Sequence, residues 1–369
     1  MKKWFLLMFL AVILAVCVTI FLPSFNSSNQ VEIVNTDLPI EKYSRQKGDT
    51  EDATRYFINL FPDVEEYPIS CEGDCYPPTD DIKCSENMHD CQYIGAQPTI
   101  KDVAGFDLHW LGHASFRVQT DNGQVFLFDP VFGQFDWPVN WGFRVTQGFN
   151  RQPADAVEFE TLEKVDAVMY SHNHYDHFNR ADIEKINNEA QFLLPLGLAK
   201  RFPGGDYQVS EMGWYSQKKI GDVTAHFVPA HHFSSRTLLD QNQSLWGGWV
   251  LEHAGKRLFF AGDTGYSPHF NDIAERYGEI DVCLLPIASY FSESRPEWYR
   301  KVHTTPEDAL VAAQDLNCKI MIPWGYGNAS WRMGDHTSHS ALFRLLHMQK
   351  KMNAQTSIYV MNEGEKQLF

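Results

Sequence analysis

A chain of 369 residues, 44% of them hydrophobic, is long enough for one large α/β domain with appendages. Its 31 Lys and Arg against 47 Asp and Glu leave a formal net charge of −16. No bulk basic field exists to attract a phosphate backbone, so nucleic-acid binding is excluded as the default function. A local pocket for an anionic small substrate is not.

At the N-terminus, residues 4–22 hold one polar side chain, Thr19, and follow Lys2 and Lys3. A run of that length spans a hydrocarbon core as a helix, and flanking lysines stay cytoplasmic. Residues 1–25 are therefore expected to form an uncleaved, single-pass membrane anchor. Everything after it is expected outside the cytoplasm, in a periplasmic or extracellular space. The rival is a cleaved signal peptide, whose apolar region is usually shorter and ends in a small-residue site.

Residues 26–97 are expected to form a tether and a stapled extension, with a helix near "DATRYFINLF". Cys71, Cys75, Cys84 and Cys91 are spaced C-x3-C-x8-C-x6-C, which on the exported side reads as two disulfides with three possible pairings. A four-cysteine zinc knuckle lacks its usual C-x2-C pairs. Cys283 and Cys318, in the apolar runs "DVCLLPI" and "NCKIMIP", read as inert buried thiols.

From "FDLHWLGHASFRV" onward, within residues 98–369, short apolar runs end abruptly in ligand-type residues. "QVFLFDP" delivers Asp129, "VTAHFVPAHHF" delivers His231 and His232, and "KRLFFAGDTG" delivers Asp263. Buried strands separated by helical stretches such as "NRADIEKINNEA" and "TPEDALVAAQDL" indicate an α/β domain. The second stretch has Thr305 as cap, Pro306 at the first helical position and Asp308 in the first turn. Strands ending along one edge would gather their terminal residues in one cleft.

"YSHNHYDHFN" places three histidines and one aspartate within positions 172–177. In an extended segment His172, His174 and Asp176 point the same way, with His177 turning in beside them. Imidazoles with a carboxylate suit zinc, iron or manganese rather than calcium. Asp129 reads as a residue that orders these ligands without joining them. Phe132, Phe135, Trp137, Trp141, Phe143 and Phe149 suit a lipid-facing lip or an acyl channel, and equally the packing of a long loop.

"SHNHYDH", "PAHHF" and "FFAGDTGY", in that order, resemble the metallo-β-lactamase fold, an αβ/βα four-layer sandwich. "WLGHASF", "FDPVFG", "SRTLLDQNQSLWGGW" and "HTTPEDALVAAQDL" narrow the resemblance to N-acyl-phosphatidylethanolamine-hydrolysing phospholipase D and its bacterial relatives. The resemblance implies two zinc ions: one held by His172, His174 and His232, the other by Asp176 and His177, with Asp263 bridging. It places His303 near the substrate. The family's last histidine, directly before "WG", is absent; "MIPWGYG" has Pro323 there. The second site is then expected to be weaker, or completed by His336 or His339.

The implied activity is phosphodiester hydrolysis at a membrane lipid. A shared hydroxide would attack phosphorus, with Asp176 and Asp263 taking the proton of its parent water. His303 would protonate the leaving oxygen or orient the phosphate, and Arg236 would either neutralise a phosphate oxygen or form a salt bridge. A lactonase or other small-ester hydrolase on the same fold is the first rival. A degenerate metal-binding module is the second.

Overall fold

The computed structural model describes residues 29–47, 54–86, 91–100, 105–133, 136, 164–187, 189–291, 296–327 and 338–369. The expected anchor at 1–25, the aromatic residues Phe135, Trp137, Trp141, Phe143 and Phe149, and His336 lie outside them. Among the described residues no helix is long and apolar enough to cross a membrane.

Two mixed sheets carry the architecture. The first orders its strands Gln30–Val34, Gln208–Met212, Gln191–Pro195, Ala167–Met169, Val125–Phe128, Ser115–Thr120, Phe106–Gly112 and Lys366–Leu368. The second runs Gln217–Ile220, Val223–Val228, Gly248–His253, Lys256–Phe260, Ile280–Pro286, Cys318–Trp324 and Ser357–Ile358. Strand side chains alternate between faces, and the clusters follow that period. Phe126 and Phe128 join the large core shared with the second sheet, while Val125 and Leu127 join a smaller cluster with Ile183. Both faces are covered, which is why these strands read as continuous apolar runs.

Helices cover the outer faces. Ile183 of the short helix Arg180–Ile183 packs outside the first sheet. His269–Tyr277, Pro306–Asp315 and Ser340–Met352 contribute Phe270, Ala309, Leu310 and Leu345 to the core on the side of the second. The start of Pro306–Asp315 follows the sequence: Thr305 Oγ1 accepts from Asp308 N at 3.2 Å, and Asp308 Oδ2 accepts from Thr305 N at 3.2 Å. This reciprocal pair satisfies two donors at the helix start.

Two expectations are corrected. The helix expected near "DATRYFINLF" is instead a strand, Thr54–Phe57, paired antiparallel with Ser44–Lys47. A β-branched and two aromatic residues suit a pleated surface, and Phe57 is buried beside Tyr43 in the main core. Cys283 and Cys318 are not free thiols but are bridged, with Cα atoms 6.1 Å apart on neighbouring parallel strands. The expected pair of disulfides in the extension takes the pairing Cys71–Cys75 and Cys84–Cys91. The latter joins residues directly opposite in a small hairpin.

The extension is bolted to two of the outer helices by buried charge. Glu307 receives both Nε (2.9 Å) and Nη2 (2.5 Å) of Arg344, and also accepts from Cys71 N at 3.0 Å. Burial opposes ionisation of Glu307, but the Arg344 guanidinium outweighs it and holds the carboxyl below its ordinary value. A depressed carboxyl pKa contributes stability above the unfolded value that is lost as pH falls through the folded one. Arg344→Met is expected to cost about 3–5 kcal/mol at pH 7, because it leaves a buried carboxylate unpaired. That deficit should shrink as pH falls below 4.5, as urea titrations at several pH values would show. The disulfides predict that alkylation of denatured, unreduced full-length chain labels Cys17 alone, by intact mass; three labelled thiols would mean that Cys283 and Cys318 are not bridged.

Candidate metal centre

The histidine cluster begins where the strand Ala167–Met169 stops. Trp249 Nε1 donates to Tyr170 O at 3.1 Å, and Ser171 donates from both N (2.7 Å) and Oγ (2.5 Å) to the Asp129 carboxylate. The chain then turns tightly, with His177 N and Phe178 N both donating to His174 O. Asn179 ends the turn by accepting from Ala181 N and Asp182 N at the start of the short helix. Asp263 arrives from the other sheet, immediately after Gly262. A Cβ at Gly262, where φ is +61°, would lie 2.7 Å from Ser171 Cβ and 2.8 Å from Gly247 O. Only glycine allows the two ligand-bearing loops to approach this closely.

Three groups of ligand atoms result among the described residues. His172, His174, His232 and Asp263 each offer an atom within 4.8 Å of the others, His113, Asp176 and His177 form a second such group, and Asp129, His172 and His177 a third that shares its histidines with the first two. In the first, His172 Nε2 and His174 Nδ1 are 2.8 Å apart, and His174 Nδ1 and His232 Nε2 are 3.3 Å apart. Asp263 Oδ2 lies 3.9 Å from both His172 Nε2 and His232 Nε2. It also lies 3.3 Å from His177 Nε2 and 3.7 Å from His303 Nδ1, which places it between the first two groups. Donors about 2.0–2.1 Å from one tetrahedral ion stand roughly 3.3 Å from each other. The spacings therefore fit metal ions.

Tautomers agree with that fit. His232 Nδ1 donates to Val302 O at 2.8 Å, since a carbonyl can only accept, so Nε2 presents its lone pair to the cleft. His177 Nδ1 lies 2.7 Å from Asp129 Oδ2, while its buried Nε2 makes no hydrogen bond of good geometry among the described residues and faces Asp263 Oδ2 at 3.3 Å and Asp176 Oδ2 at 3.6 Å. A ring oriented by a carboxylate on one nitrogen, with the other turned toward two more, fits a metal ligand. His231 is turned elsewhere: Nδ1 donates to Lys301 O at 2.8 Å and Nε2 faces Asp63 at 3.2 Å.

Electrostatics sort the same residues. Burial, aided by the neighbouring histidines, lowers His172 and His232 well below 6.5 and His174 to about 4, so all three are neutral. Burial also disfavours charge on His177, yet the carboxylates of Asp263, Asp176 and Asp129 raise it well above 6.5. Burial would raise Asp176 and Asp263, but His177 and its neighbours hold both below the usual carboxylate range. Burial lowers His303, a fall that Asp263 and Asp176 only partly offset.

Of the two roles expected for Arg236, the structure shows the salt bridge, and a buried one. Its Nη1 donates to Asn173 O (2.9 Å) and Phe178 O (2.7 Å), and Nη2 pairs with Asp136 at 2.5 Å. The guanidinium is thus committed to holding the histidine turn. Asn59 also went unnoticed in the sequence: its Oδ1 accepts from His232 N at 3.1 Å and Trp246 Nε1 at 2.9 Å. Neither contact has a sequence signal, since the partners are 100 and 173 positions apart. His113 stands within the "WLGHASF" motif but has no other ligand type beside it to suggest a metal.

Residues 124–326, more than half of the chain, match the β-lactamase superfamily domain. The chain belongs to this superfamily. Over 253 residues the superfamily member described here is 30% identical to an uncharacterised protein of Mycobacterium tuberculosis, a match covering 66% of this chain and 64% of the relative. Over 239 residues it is 30% identical to N-acyl-phosphatidylethanolamine-hydrolyzing phospholipase D 1 of Caenorhabditis elegans, covering 60% and 64%. The chain spans just under two thirds of the length of these curated relatives. Among solved structures, the metallo hydrolase Igni18 of Ignicoccus hospitalis shares the fold at 21% identity, with a TM-score of 0.51 over 72% of this chain and 98% of that one.

Asp129 accepts from Ser171 N and pairs with His177 Nδ1, the side of that ring turned away from Asp263. Asp129→Asn is expected to keep the fold and weaken metal binding about 10–100-fold, the usual cost of losing a hydrogen-bonding carboxylate behind a ligand. Isothermal titration with zinc would measure it, and unchanged affinity would show that His177 needs no such support.

Proposed function

We propose that this β-lactamase-superfamily protein is a two-zinc hydrolase of phosphodiesters, of the phospholipase D type, acting on N-acyl-phosphatidylethanolamine-like lipids. The observation that carries the reading is the pair of adjacent ligand groups with Asp263 between them. His172, His174 and His232 would hold one ion, Asp176 and His177 the other, and Asp263 both. The ions would lower the pKa of water to about 7 and polarise a phosphoryl oxygen. A relative at 30% identity whose name states the phospholipase activity supports the substrate class.

The residues supply the rest. Asp176 and Asp263, kept ionised by their surroundings, accept a proton from the attacking water. A new P–O bond forms, the bond from phosphorus to the alcohol oxygen breaks, and the proton ends on that oxygen; a phosphate monoester and an alcohol leave. His303 is partly exposed above Asp263, and its lowered pKa makes it a neutral donor at pH 7. It therefore suits orienting the phosphate better than delivering a proton as a cation. Phe233, 4.7 Å from the His174 ring, and Trp298, 5.4 Å from Phe233, supply an apolar margin to which an acyl chain can lie. An anchor at residues 4–22 would keep this cleft at a bilayer surface on the extracytoplasmic side, where the three disulfides are stable.

Full-length protein in mixed micelles should hydrolyse N-acyl-phosphatidylethanolamine, lose that activity to a chelator, and regain it with zinc. Turnover of a simple lactone with no phosphodiester cleavage would sink the reading in favour of its lactonase rival. His303→Ala should lower kcat about 100-fold, the scale for one lost transition-state donor, with metal content unchanged. Loss of metal instead would make His303 a ligand.

A further inference from the structure

Pro323 cannot ligate, so the second metal position needs another histidine or must do without one. We propose that His113 is that ligand, completing the second position together with Asp176, His177 and Asp263. The proposal rests on the two-metal reading above.

His113 reaches the position by a local feature of the first sheet. Between Phe106–Gly112 and Ser115–Thr120 the register slips at Trp110 and Gly112. Gly112 has φ +96° and His113 itself φ +51°. A left-handed conformation at a non-glycine residue carries strain and gathers at functional sites. Trp110 Nε1 donates to His113 O at 2.9 Å and fixes the turn. The side chain is thereby directed inward and is only 6% exposed.

Its Nε2 lies 2.9 Å from Asp176 Oδ2, and its ring centroid 5.4 Å from that of His177. Asp176 Oδ2 is in turn 3.6 Å from His177 Nε2, which is 3.3 Å from Asp263 Oδ2. This chain of separations has the scale of edges between donors around one ion, roughly 3.3 Å. The other candidate among the described residues is less well placed. His339 sits with Nδ1 3.0 Å from Ser338 Oγ and its ring 5.2 Å from that of Tyr326, and it belongs to none of the ligand groups. The strand that carries Pro323 ends in Trp324, whose ring stands 6.5 Å from that of His177, farther than His113. His113, Asp176 and His177 all come from loops of the first sheet, so this sheet would supply every ligand of the second position except Asp263.

The test is metal stoichiometry and affinity of the full-length protein, by elemental analysis and by titration with cobalt(II) followed in the visible. Wild type should bind two ions per chain. His113→Ala should keep the first, with an unchanged near-UV spectrum as proof of folding, and bind the second at least about tenfold more weakly. His113→Gln separates ligation from hydrogen bonding, since its amide can still donate to Asp176 yet is a poor zinc ligand; it should behave as the alanine variant does. Wild-type affinity in His113→Gln would overturn the proposal by making His113 a positioning residue. So would two undiminished ions in His113→Ala, or loss of the second ion in His336→Ala or His339→Ala but not in His113→Ala. A wild type that never binds more than one ion would fail the two-metal reading first, and this proposal with it.

Discussion

Three buried carboxylates in one cleft, Asp129, Asp176 and Asp263, set the terms for everything around them. Desolvation pushes each toward its neutral form, and in a chain of net charge −16 no general positive field opposes it. They must be met by local cations. His177 stands among all three, and their carboxylates raise its pKa well above 6.5. Metal ions would answer the same need more strongly, with His177 binding as a neutral imidazole. A cluster arranged only for stability would be better replaced by apolar packing, since burying charge seldom stabilises on balance. Its presence in the core points to chemistry.

The two sheets are built to bring these groups together and hold them still. His172, His174, Asp176 and His177 come from the first sheet, His232 and Asp263 from the second. The seam closes where Gly262 meets Ser171, and there is no room for a side chain. Indole nitrogens fasten the loops from behind: Trp249 to Tyr170 O, Trp110 to His113 O, Trp246 to Ala230 O. Buried Trp needs a partner for its N–H, and here the partner is repeatedly the backbone leading into a ligand. Rigidity of the site and satisfaction of the core are met by the same bonds.

What the sequence made legible follows from how local each feature is. That the six residues expected as ligands would come together was readable because they sit at strand ends, in motifs whose spacing survives in one dimension, and all six fall in groups that could hold a metal ion. The capping box at Thr305 was readable for the same reason. Which of its two expected roles Arg236 takes was not legible, because a lone arginine carries no sign of whether it faces a ligand or a carboxylate and backbone carbonyls 58 to 100 residues away. The Cys283–Cys318 bridge was missed because adjacency of two parallel strands is a property of the sheet, not of either run. The strand Thr54–Phe57 was mistaken for a helix because its pairing partner, and the core that receives Phe57, decide its conformation.

The same non-locality changes the meaning of the N-terminal extension. Gln30–Val34 adds an edge strand to the first sheet, pairing in parallel with Gln208–Met212. Tyr43 and Phe57 enter the main core, and Asn59 holds the His232 backbone. Asp63 faces His231 and pairs with Lys301, two residues before His303. Arg300, beneath Tyr67 at 3.8 Å, ties the helix that leads to His303 both to Ile69 O and to Asp308. A tether that merely spaced a domain from a membrane would need none of these contacts. The described part of the extension is instead packed against the cleft, at the His232 backbone through Asn59 and at the helix Pro296–Val302, which leads to His303, through Asp63 and Ile69.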